Sequence, residues 1–76
     1  MNNIRRKKLA KLYEEIENIK SLLEEIHEEE SEAFDNIPEN LEGTERYEKA
    51  EEAVDNLDSA INSLEEALEY IEYAQE

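Results

Sequence analysis

Seventy-six residues with no cysteine and a net charge of −15 allow one small domain and exclude a disulfide framework or a thiolate metal site. No stretch approaches the ~20 apolar residues of a membrane span. The basic start Arg5-Arg6-Lys7-Lys8 runs into Leu9-Ala10-Lys11 rather than an apolar core, so it does not read as a signal peptide. A cytoplasmic protein without cofactor or membrane contact is expected.

The charge is unevenly placed. Residues 1–11 carry five basic residues and no acid, whereas residues 12–76 carry three basic residues against all 23 acids, a balance of −20. Such a body repels nucleic acid and anionic lipid, so no direct nucleic-acid binding is expected from it. One glycine, one proline and 41% charged residues fit a helical chain. The ordered apolar spacing described next argues against disorder.

The first helix is expected over about residues 3–34, capped by Asn2 or Asn3, and roughly 45 Å long at 1.5 Å per residue. Leu9, Leu12, Ile16, Ile19, Leu23 and Ile26 recur in threes and fours, the period of a helix packed lengthwise on another. In this frame Leu23 and Ile26 point inward, while Glu24 and His27 flank them. Asp35-Asn36-Ile37-Pro38 ends the helix, because the residue before proline avoids helical angles. Across the loop of about 35–43, Phe34, Ile37 and Leu41 are expected to plug the core. Thr44 then caps a second helix over about 45–75.

That second helix carries Tyr47, Ala50, Val54, Leu57, Ile61, Leu64, Leu68 and Ile71 in unbroken 3-4 spacing. Beside them run Ala53, Ala60, Ala67 and Ala74, seven residues apart. If the main stripe takes heptad positions a and d, the alanines fall at g. Two helices of near-equal length predict an all-α antiparallel hairpin over residues 1–76. A hairpin satisfies about two apolar columns, so the third predicts a homo-oligomer, with a dimer forming a four-helix bundle favoured. The expected oligomer interface is Ala53, Ala60, Ala67 and Ala74 with Leu57 and Leu64. The antiparallel arrangement also sets Arg5, Arg6, Lys8 and Lys11 beside Glu65, Glu69, Glu72 and Glu76.

Few groups suggest chemistry. Glu24 and His27 have the Glu-x-x-His spacing of di-iron bundles, but in a glutamate-rich chain they read first as flanking surface residues, and no metal site is assigned. Glu28-Glu29-Glu30-Ser31-Glu32 lacks the alternating ligands and glycine turn of a calcium loop and reads as a solvated face. Arg5, Arg6, Lys8 and Lys11, with Arg46 and Lys49, form a candidate patch for an anion or an acidic partner. The loop from Asn36 to Tyr47 mixes apolar, amide, hydroxyl and aromatic groups and suits either recognition or plain capping. Tyr70 and Tyr73 lie outside the apolar columns, as interface tyrosines often do. With one histidine, no cysteine and no glycine-rich phosphate loop, no nucleophile–base pair is available and no enzyme is expected.

Phe34-Asp35-Asn36-Ile37-Pro38-Glu39-Asn40-Leu41-Glu42-Gly43-Thr44-Glu45-Arg46-Tyr47-Glu48, continued by Ala50-Glu51-Glu52-Ala53-Val54-Asp55-Asn56-Leu57, resembles a group of short acidic helical-hairpin proteins. These occur in low-GC Gram-positive bacteria, their prophages and mobile elements. The resemblance covers the second half of the chain with the end of the first helix. It implies a phage or mobile-element setting and carries over no functional residue. The expected function is therefore non-enzymatic self-association and binding of a protein partner. The alternative is an anti-defence protein, acting as an acidic DNA mimic or as a sponge for a phosphate-bearing nucleotide.

Overall fold

The structure, a computed structural model, describes all 76 residues. Helix α1 spans Asn3–Asp35 and helix α2 spans Glu45–Gln75, joined by a single 3₁₀ turn over Glu39–Leu41. The two helices pack lengthwise into an antiparallel hairpin with no strand, a rod of 59 × 15 × 13 Å.

Local chemistry fixes both helix starts. The Asn2 side chain accepts from the Arg5 amide at 2.9 Å, satisfying one of the free donors of the first turn. Thr44 does the same for α2, accepting from the Tyr47 amide at 3.3 Å while its hydroxyl donates to the Leu41 carbonyl at 2.6 Å. Gly43, at φ +80°, reverses the chain between the 3₁₀ turn and this cap in a conformation that favours glycine. Phe34, Ile37 and Leu41 are half-buried beneath the turn, and the Phe34 and Tyr47 rings meet at 4.9 Å. Thr44→Ala is expected to cost about 1 kcal/mol. The loss would appear as a lower urea midpoint with an unchanged denaturant slope.

The seam on α2 is the expected one: Tyr47, Ala50, Val54, Leu57, Ile61, Leu64, Leu68 and Ile71 are all half-buried or buried. On α1 the expected stripe is only half right. The half-buried residues of α1 are Leu9, Tyr13, Ile16, Lys20, Leu23, His27, Glu30 and Phe34 along the seam, with Arg6 and Ser31 beside it. Leu12, Ile19 and Ile26 are turned out, 48%, 51% and 47% exposed. Helix α1 is thus rotated by about half a residue, ~50°, since each residue advances the helix by about 100°.

The reason lies at the tips of the intruding side chains. Tyr13 donates from its hydroxyl to Glu72 at 2.7 Å, and Lys20 reaches Glu65 at 2.9 Å. Long amphipathic side chains can lie along a seam with their polar ends in water. His27 is accordingly half-buried rather than flanking, while Glu24 is exposed.

Candidate interaction interface

The same contacts reveal which flanks of the helices share a side. In the observed frame Tyr13, Lys20 and His27 take position a on α1, and Leu9, Ile16 and Leu23 take d. Lys20 Nζ approaches both Glu24, at 3.9 Å, and Glu65, at 2.9 Å. Ala10, Tyr13, Glu72 and Gln75 line one shallow depression. Glu24 and Ala10 stand at e of α1, Glu65 and Glu72 at e of α2, so the two e flanks form one side of the hairpin. The two g flanks therefore form the other.

That second side is apolar. On α1 it presents Leu12, Ile19, Ile26 and Ala33; on α2 it presents Ala74, Ala67, Ala60 and Ala53. Tyr13 pairs with Glu72 and Lys20 with Glu65, seven residues on along α1 and seven back along α2. This register sets Leu12 level with Ala74, Ile19 with Ala67, Ile26 with Ala60 and Ala33 with Ala53. Leu22, 59% exposed, and Tyr70 border the same side at position c. From Leu12 to Ala33 the strip runs about 30 Å along the helices.

The expected interface residues fall into two groups. Ala60 and Ala74 are exposed, and Ala53 and Ala67 half-buried, all on this side. Leu57 and Leu64 are half-buried at d of α2, in the seam with α1. The bulky half of the face, Leu12, Ile19, Leu22 and Ile26, was hidden from sequence reasoning because three of these four completed a regular seam pattern on α1. The signal that could have revealed them is the presence of Tyr13, Lys20 and His27, which fit an equally regular frame one residue on.

The charged candidates are not gathered into one site. Arg5, Arg6, Lys8 and Lys11 lie at the open end of the rod, and Arg46 and Lys49 at the loop end. Arg6 Nε donates to the Gln75 carbonyl at 3.1 Å, and Lys49 pairs with Glu45 at 3.0 Å. The expected facing of the N-terminal cations onto Glu65, Glu69, Glu72 and Glu76 is replaced by Lys20 and Tyr13 as the partners of Glu65 and Glu72. The hydrogen bond to Glu65 holds the Lys20 ammonium above its ordinary pKa. That to Glu72 does the same for the Tyr13 hydroxyl, because the protonated phenol is the donor. Glu48, Glu51, Glu52 and Asp55 surround a shallow acidic depression. No three carboxylate or imidazole groups converge closely enough to hold a metal ion; Glu24 is exposed beside Lys20 and His27 is half-buried.

A lysine at a seam position specifies register at a cost in stability. Lys20→Leu is accordingly expected to raise the melting temperature. A fall would show that the Lys20–Glu65 pair outweighs the apolar contact that replaces it. Comparison with known protein families, with curated proteins and with solved structures finds no match for this chain.

Proposed function

We propose that this chain is a non-enzymatic protein that self-associates through its apolar side and binds a protein partner with the acidic surfaces that remain. The single observation carrying this is the one-sided apolar strip, in which Leu12, Ile19 and Ile26 stand beside an alanine column on a rod whose other flanks are charged. Contiguous exposed apolar surface rimmed by polar residues marks interaction sites. Size-exclusion chromatography with light scattering tests it. A mass of at least twice 8.9 kDa at micromolar concentration is expected, and a folded monomer would overturn the proposal.

A second reading, an acidic mimic of DNA, is favoured by the row Glu51, Asp58, Glu65 and Glu72 along the e flank of α2. It predicts salt-sensitive binding to a basic DNA-binding protein. The sponge for a phosphate-bearing ligand has less geometric support, since its six cations stand at opposite ends of a 59 Å rod.

A further inference from the structure

We infer that the occupant of the apolar side is a second copy of this chain, related by a twofold axis parallel to the rod. Helix α1 of each copy then lies on α2 of the other, and both loops emerge at the same end. This rests on the self-association proposed above and adds its geometry.

Surface area asks for a second layer. The accessible surface is 6001 Å², whereas a compact monomer of this mass exposes about 4,800 Å². An interface of standard size removes about 600–1,000 Å² from each partner, and a strip about 30 Å long on a rod 15 Å wide is of that order.

Charge says what kind of partner fits. Every acid of α2 stands at position b, e or f. Its c and g columns, from Arg46 and Lys49 to Tyr70 and Ala74, carry none over the whole helix. The α1 edge of the same side carries Glu15 and Glu29 at position c. A second copy, itself at −15, fits where those carboxylates meet the acid-free edge of α2 rather than one another, because like charges set opposite each other destabilise an interface.

Steric level and symmetry choose the axis. A twofold parallel to the rod leaves height unchanged, so each layer keeps its members. Ile26 of one copy comes level with Ala60 of the other, Ile19 with Ala67 and Leu12 with Ala74. Large and small then alternate around the bundle, the arrangement that fills a core without voids. A twofold perpendicular to the rod would instead set α1 on α1, bulky on bulky, and alanine on alanine. Centred on the strip, it would also bring Glu15 at position c level with Glu29 of the other copy. The parallel axis sets those same carboxylates toward the acid-free column of α2.

The test uses the full chain, which has no cysteine of its own. A nitroxide on Asn40→Cys, in the exposed turn, reports the loop-to-loop separation by dipolar spectroscopy. The parallel axis predicts about two to three helix diameters, ~20–30 Å. A dimer with a separation of about 45 Å or more, as a perpendicular axis centred on the strip gives, overturns the axis and leaves self-association standing. A monomer, giving no dipolar signal, overturns both. Independently, Ile26→Ala and Ala60→Ile are each expected to weaken association at least tenfold. The double variant, which keeps one large and one small residue per layer, should recover to within a few-fold of the parent. A double variant no tighter than the weaker single one refutes the pairing.

Discussion

Leu68→Ala is expected to remove about 2–4 kcal/mol of stability, a large part of the roughly 4–11 kcal/mol typical of a domain this size. The hairpin has no second shell of core to absorb the loss. Only Ile61, 8% exposed, and Leu68, 7% exposed, are buried, and no side chain is fully enclosed. Leu68 packs at the level of Ile16 and anchors the half of the seam that lies away from the loop. The informative control is Ile19→Ala. It removes as much apolar volume from a residue half open to water and should leave the stability of the dilute monomer within about 1 kcal/mol of the parent. Chemical denaturation across a range of protein concentrations separates the two. Leu68→Ala should lower the midpoint at every concentration, and Ile19→Ala mainly where association contributes.

Ala60→Glu is expected to convert the assembly to monomers while α2 keeps its seam. Position 60 is exposed and lies level with Ile26 on the apolar side. A carboxylate there meets no cation in the hairpin, and association would bury it between aliphatic side chains, at a cost of several kcal/mol. Helical content by circular dichroism should stay near that of the parent, with the light-scattering mass falling to 8.9 kDa. An unchanged oligomer would remove the reason for placing the contact on this side.

Much of this architecture is legible in the sequence. The two helices, an asparagine cap at residue 2 or 3, the Thr44 cap, the plug of Phe34, Ile37 and Leu41 and the seam on α2 follow from spacing and capping chemistry, and the structure selects Asn2 for the first cap. On α2 the pattern admits one frame, since the seam residues are apolar and their neighbours on one flank are acids. On α1 two frames share Leu9, Ile16 and Leu23. One adds Leu12, Ile19 and Ile26; the other adds Tyr13, Lys20 and His27. Counting apolar residues selects the first. The structure selects the second, because Tyr13 and Lys20 can span the seam and end on Glu72 and Glu65. Those partners lie more than forty residues away along the chain, and no local pattern on α1 reveals them. For the interaction side, the alanine column was visible and its bulky counterpart was not. The choice between frames decides whether Leu12, Ile19 and Ile26 belong to the hairpin or to its surface.

The hairpin is tethered at one end only. There the turn and the Phe34–Tyr47 ring pair hold the helices together, and the Thr44 hydroxyl ties the start of α2 to the turn at the Leu41 carbonyl. At the other end the last cross-connections are the Arg6–Gln75 and Tyr13–Glu72 hydrogen bonds. Fraying therefore starts at the termini. Amide hydrogens near residues 5–9 and 72–75 should exchange with solvent fastest, and those around the buried Ile61 and Leu68 should be retained longest.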